Sequence, residues 1–288
     1  MLEESFLLTH EPLLRLGSFA GVFVAVALWE LAAPRRERLL PRARRWPANL
    51  VLAALNTLVL RAVVPFAAVG MATFAAHKGM GLFNHFDVPA WTLLPLSIIA
   101  LDLAVWLQHV MFHAIPALWR LHRVHHADLD IDLTTGARFH PIEMVLSTLI
   151  KLAVVALIGA PVAAVVLFEV LLSATALFSH ADINISPRVE RWLRWVVVTP
   201  DMHRVHHSVQ EHETNSNFGF NIPCWDRLFG TYLDQPHGGH DGMTIGIHGH
   251  RDPHDVARLS GMLMLPFHGG VGGYGITHRD WRDEHAAR

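Results

Sequence analysis

The chain has a single cysteine, Cys224. That excludes an internal disulfide, a multi-cysteine zinc site and an iron–sulfur cluster. Lysine is nearly absent, Lys78 and Lys151 being the only two. Charged residues make up 17% of the 288, against about 25% in ordinary soluble domains. No glycine-rich flavin or nicotinamide fingerprint occurs, so reducing equivalents cannot be expected from a nucleotide bound by this chain. A net charge of −2 offers no global field to nucleic acid. Glu3 and Glu4 precede the first apolar run where a secretory leader would be positive, so no leader is expected.

Apolar residues are abundant instead, at 52%, with a mean hydropathy of +0.31. They fall in four blocks: Leu16–Ala33, Asn49–Ala76, Trp91–His113 and Met144–Phe178. A span needs about 20 apolar residues. The first three blocks are long enough. The fourth is broken by Gly159-Ala160-Pro161 and reads as a hairpin whose legs are each short for a full crossing. The loop between the first two blocks carries Arg35, Arg36, Arg38, Arg42, Arg44 and Arg45. The positive-inside rule makes that loop cytoplasmic. Threading the chain from there places the ends of the third block and of the hairpin on the same side. The expected architecture is an all-α integral membrane protein with four to five transmembrane or hairpin helices. Its expected parts are N-terminal membrane helices (1–94), a central unit (95–235) and a C-terminal cytosolic tail (236–288).

Histidine is the residue in excess, with 22 copies. His-Arg-Val-His-His occurs twice, at 122–126 and 203–207. His109 and His113 are four apart in a helical block, and i,i+4 residues share a helix face. Each pentapeptide brings its first histidine onto the face of its last two, which themselves diverge by about 100°. Adjacent histidines are thus suited to two different metals. His180, where the hairpin re-emerges, completes nine: His109, His113, His122, His125, His126, His180, His203, His206 and His207. Nine imidazoles exceed the needs of one ion and suit two. A hydrolytic zinc centre, with three ligands and an open position, needs far fewer. The tail histidines, His240 among them, read as solvated.

Two ionisable groups stand inside the apolar blocks. Arg61 and Asp102 lie at similar depths, so the expectation is an ion pair between them. Asp102 could instead orient the His109 imidazole. Arg123 and Arg204 are expected to pair with local acids or lipid phosphate.

The order H-x3-H (His109, His113), H-x2-H-H (His122, His125, His126) and a second H-x2-H-H (His203, His206, His207) resembles the fatty acid hydroxylase/sterol desaturase superfamily. So do Arg138-Phe-His140-Pro-Ile-Glu143, Phe178-Ser-His180, Thr199-Pro-Asp-Met-His203, Asn217-Phe-Gly219 and Trp225-Asp-Arg-Leu-Phe-Gly-Thr-Tyr232. The resemblance covers residues 95–235. It implies a cytosolic helical cap holding two irons, and O2-dependent hydroxylation or desaturation of an unactivated C–H bond of a sterol, fatty acyl or related lipid. It implies the nine histidines as ligands, with His140 a further ligand or a partner behind one. The sequence departs from relatives at Trp106 (often Tyr), Val110 (often Arg) and Asp182 (often Asn), the last altering charge near the metals and offering a further ligand or a partner behind one. Electrons would come from a separate ferredoxin- or cytochrome-type donor with its reductase. The expected location is a bacterial inner membrane with the histidines on the cytoplasmic side. The alternatives are an ether-lipid monooxygenase of the same superfamily, or a non-enzymatic membrane metal-binding or transport protein. A transporter would spread its histidines across the membrane.

Overall fold

The computed structural model describes residues 2–64, 67–86 and 88–276. Among them only helices and turns form, apart from two isolated bridges, Pro34 with Ile183 and Ser208 with Ile245. The long helices are α1 (Leu2–Ala32), α2 (Arg42–Val63), α3 (Ala68–Lys78) and α4 (Ala90–Ala114). After α5 (Pro116–His126) come α6 (Pro141–Ile158) and α7 (Val162–Ser179). The rest are short: α8 (Pro187–Leu193), α9 (Pro200–His206), α10 (Glu211–Thr214), α11 (Cys224–Leu228), α12 (Gly239–Gly242), α13 (Pro253–Val256) and α14 (Leu259–Met264). Five helical stretches are long and apolar enough to cross a membrane: α1, α2 with α3, α4, α6 and α7. Leu28, Leu58, Leu157 and Leu167 point outward from them. Apolar side chains facing away from the protein are what a lipid solvent requires. The chain is an all-α integral membrane protein.

The second apolar block is not one continuous helix. α2 stops at Val63, and Val64 leaves helical geometry at φ −120°, ψ 83°. Proline follows at position 65, and the residue before a proline is driven out of the α region. The fourth block is a hairpin of two 18-residue helices, each about 27 Å long. Its turn at Gly159 meets the chain just past α3. A side chain on Gly81 would lie 2.2 Å from the Gly159 nitrogen. The hairpin therefore reaches the same end of the bundle as α3, deeper than its leg length suggests. Ala72, Leu101, Val155, Val165 and Phe168 form the apolar core between α3, α4, α6 and α7.

The expected Arg61–Asp102 pair does not form. Arg61 is exposed on α2. Asp102 is buried and accepts from Asn221 Nδ2 at 2.7 Å and Trp225 Nε1 at 2.8 Å. Neutral donors thus satisfy it. The ionic contacts among the spans lie elsewhere: Glu169 of α7 binds Lys151 of α6 at 2.5 Å and Arg15 of α1 at 3.0 Å. A charge buried among apolar helices needs such partners.

The arginine-rich loop is also more than a topology signal. Arg45 is fully buried and bridges Asp128 at 2.7 Å and Asp132 at 2.6 Å. Burial acts to raise the Asp128 carboxyl, but Arg45 and then Arg138 outweigh it and hold it at about 2. Arg42 binds Glu30 at 3.0 Å, and Arg38 binds Asp182 at 3.1 Å. These pairs fasten the start of α2 and the turn before it to the end of α1, to the segment after α5 and to the segment after α7.

Residues 236–276 do not form a free tail. Met262 and Leu265 enter the apolar cluster around Trp119, and Tyr274 stacks on that indole at 5.4 Å. Arg123 donates to the carbonyls of Leu265 at 2.6 Å and Gly270 at 2.5 Å, rather than to an acid or a lipid. Arg204 does meet a local acid, Asp201. His240 is buried, against expectation, while His237, His248 and His254 are exposed. Residues 277–288 of the expected tail lie outside the described residues.

Candidate metal centre

All nine histidines converge at one end of the bundle, and each is buried. The C-terminal end of α4 supplies His109 and His113, and α5 supplies His122, His125 and His126. His180 follows α7, while His203 and His206 lie on α9 and His207 caps it. Local signals fix these short helices. Pro116 opens α5. Pro200 opens α9 behind Thr199, whose hydroxyl accepts from Met202 N at 3.3 Å. Proline at the first helical position and a threonine cap are both favourable starts.

The nine separate into two groups. His109, His113, His122, His126 and His206 form one; His125, His180, His203 and His207 form the other. Within each group the potential ligand atoms lie within 4.8 Å of one another. Both adjacent pairs split: His125 and His126 face different groups, as do His206 and His207. His109 Nε2 is 3.1 Å from the Nε2 atoms of both His122 and His206. His180 Nε2 is 3.1 Å from His125 Nε2 and 3.0 Å from His203 Nε2.

Five of the nine rings are held on their far side so that Nε2 points into the cluster. Nδ1 of His109 donates to the Phe218 carbonyl at 2.8 Å and that of His206 to the Ser216 carbonyl at 2.7 Å. His113 donates to Asn215 Oδ1 at 3.1 Å, and His180 to the Ala176 carbonyl at 2.7 Å. His122 donates to Glu143 Oε1 at 2.6 Å. An imidazole that donates one nitrogen to a carbonyl or carboxylate directs the other, unprotonated, at a metal.

The donor set fits metal ions. His113 Nε2 and both nitrogens of His126 and of His207 are buried without a hydrogen-bond partner. Groups so buried are almost always satisfied, and a cation is the partner that several converging lone pairs share. Burial holds His122, His125, His126, His203, His206 and His207 well below the usual imidazole pKa, and lowers His180 to about 4. These rings are neutral at pH 7, as ligation needs.

Three further candidates stand apart. His140 belongs to neither group; it caps α6, accepting from Ile142 N at 3.2 Å. Asp182 meets Arg38 and the Arg36 backbone amide, not a histidine. Asp102 does not orient His109, because the Phe218 carbonyl occupies that role.

Glu143, Asn217 and Asp226 lie within the sequence motifs, and the structure places each behind the histidines. Glu143 anchors His122. Asn217 adopts φ 49°, in the left-handed region that asparagine tolerates better than most residues, and its amide bonds Met202 and Leu233 carbonyls at 2.9 and 2.8 Å. This turn presents the Ser216 and Phe218 carbonyls to His206 and His109. Asp226 accepts from the amides of Phe218 at 2.9 Å and Gly219 at 2.8 Å, and from Trp106 Nε1 at 3.0 Å. The only signal for them was their place beside the histidines in the chain.

Fold and site together define a class: an all-helical membrane protein with a buried polyhistidine centre at one end of its bundle. The chain matches the family model described as fatty acid hydroxylase over residues 93–231, which supports its resemblance to the fatty acid hydroxylase/sterol desaturase superfamily. It is 26% identical to an ornithine lipid hydroxylase, OlsE, of Rhizobium tropici, over 69% of this chain and 63% of that protein. It is 30% identical to the alkylglycerol monooxygenase of Xenopus tropicalis, over 52% of this chain and 32% of that protein. For the human alkylglycerol monooxygenase the identity is 28%, over 52% and 33%. The matched segments thus span less than two thirds of these relatives. No solved structure matches the chain.

Proposed function

We propose that the protein is a di-iron, O2-dependent oxidoreductase that hydroxylates an unactivated C–H bond of a membrane lipid, with residues 95–235 as its catalytic unit. The observation that carries this reading is the division of nine buried histidines into groups of five and four. The first group would hold one iron and the second group the other. Bound there, the pair would supply the electrons needed to split O2 and place one oxygen atom in the substrate.

The chain's own residues do the rest. Glu143, Asn215 and the Ser216 and Phe218 carbonyls fix four rings of the first group. Phe139 stacks on His125 at 4.4 Å, and Phe220 lies 5.0 Å from His109, walling the site with apolar rings that exclude water. Position at the end of the spans lets a lipid be taken from the bilayer without crossing water. Electrons would arrive from a separate ferredoxin- or cytochrome-type protein with its reductase. The arginine loop supports a cytoplasmic placement of the histidine end, in a bacterial inner membrane. Hydroxylation is favoured over desaturation because the relatives are named hydroxylase and monooxygenase. Ether-lipid oxidation is the second reading, supported by the alkylglycerol monooxygenases. A transport relay is disfavoured because the histidine groups gather at one end.

The test is the metal content of the detergent-purified protein beside a His125→Ala/His206→Ala double variant, which removes one histidine from each group. About two irons per chain, lost in the variant, with O2 uptake on adding lipid and a reduced donor, is the expected result. No iron, or one zinc that the variant retains, would overturn the proposal.

A further inference from the structure

Two short segments outside the candidate spans expose large apolar side chains. One is α8 with the turn after it, where Trp192 is 69% exposed, Trp195 62% and Val196 73%. The other is α11, where Leu228 and Phe229 are exposed. The segments touch. Arg227 stacks its guanidinium over the Trp195 ring at 4.1 Å and donates to the Arg194 carbonyl at 3.1 Å.

Their depth along the bundle is set by contacts with the spans. Asn221 and Trp225 are held by Asp102 of α4. Phe229 stacks on Trp106 of the same helix at 4.7 Å. Asn221 also meets Thr175, one turn before the end of α7. Asp102 precedes the end of α4 at Ala114 by twelve residues, about 18 Å. His109 and His113 lie further along α4, so this strip lies on the bilayer side of them and continues the apolar surface of the spans.

Its charge points the same way. Arg188 and Arg191 are exposed on α8, whereas the acids of both segments, Glu190 and Asp226, are buried. Exposed tryptophan and leucine beside arginine, with no exposed carboxylate within either segment and the adjoining Asp234 paired with Arg194, is the composition of a surface lying in the headgroup layer. Anionic headgroups would complete it.

We propose that residues 187–197 and 220–229 form an in-plane membrane anchor, seated in the headgroup region of the leaflet on the histidine side. The proposal does not depend on the enzymatic reading. Cys224 offers a direct test, since it is the sole cysteine and is exposed at the start of α11. A nitroxide attached there, in vesicles of phosphatidylcholine with a minority of phosphatidylglycerol, would report its collisions by saturation EPR. Collisions with O2 several-fold above those with a water-soluble nickel chelate are expected. In parallel, a Trp192→Ser/Trp195→Ser variant should lose much of the tryptophan quenching caused by lipids brominated near the headgroup. Collisions dominated by the nickel chelate would place the strip in water. Shielding from both reagents would mean that a protein covers it. Either result, or quenching unchanged in the variant, overturns the proposal.

Discussion

His122 Nδ1 and Glu143 Oε1 lie 2.6 Å apart, both buried, joining α5 to the first turn of α6. The contact is a carboxylate–histidine couple whose free end, His122 Nε2, faces His109 Nε2 at 3.1 Å. It would make the membrane hairpin part of the proposed metal centre, because moving α6 would turn a candidate ligand.

Replacing Glu143 by Gln should therefore leave the fold intact and weaken metal retention by about 10- to 100-fold, the usual effect of losing a ligand's outer partner. Metal content after graded chelator treatment measures this. Retention equal to wild type would show that the carboxylate does not tune the site.

Single substitutions should divide the centre. His126→Ala takes a ligand from the group of five, and His125→Ala one from the group of four. Each is expected to lose about one ion per chain and keep the other. Elemental analysis of the two purified variants decides it. Loss of all metal from both would mean that the groups do not bind independently.

Arg45 and Arg35 make opposite predictions although they belong to one arginine cluster between the first two apolar blocks. Arg45→Met leaves Asp132 buried without its cation and Asp128 with Arg138 alone, and breaking such a buried pair typically costs about 3–5 kcal/mol. Arg35 pairs with Asp241 at an exposed position, where such a pair is worth about 0–1 kcal/mol. Thermal unfolding in detergent should show a large fall for the first and almost none for Arg35→Ala.

Asp102→Ala should keep the full metal content while destabilising the 220–229 strip. Two hydrogen bonds to a carboxylate are lost, each worth about 1.5–3 kcal/mol. Arg61→Ala should change stability by less than about 0.5 kcal/mol, as for an ordinary exposed side chain. Equal losses in the two variants, by thermal melt, would restore the idea of an ion pair between them.

A chain ended after Arg251 removes Met262, Leu265 and Tyr274 from the cluster around Trp119, and the carbonyls that Arg123 uses. Its expected outcome is loss of metal and aggregation on extraction, read by size-exclusion chromatography. Full metal retention would show that residues 252–288 are an appendage.

Much was legible in the chain because it depends on local periodicity and on solvent. Apolar blocks of bilayer length announce helices whatever they pack against, and histidines at helical spacing share a face by backbone geometry alone. His109 with His113, and the divergence of His125 from His126, needed nothing more. What surrounds those side chains could not be read this way. Asp102 was matched to Arg61 by depth, but depth says nothing of rotation about a helix axis, and rotation aims Asp102 at Asn221 and Trp225. The arginine loop counted as surface charge, yet Arg45 turns inward to acids more than 80 residues away.

The sequence by itself thus determined the all-helical membrane architecture, the nine histidines and their excess over one ion's needs. Only the tertiary structure decided which histidines join which group, that Glu143 and the 215–218 turn orient them, and that residues 236–276 close over the site. The reason is physical. Helix formation and membrane insertion follow from neighbours in the chain and from the solvent, whereas a buried polar atom takes whichever partner packing brings within hydrogen-bond reach, however distant in sequence.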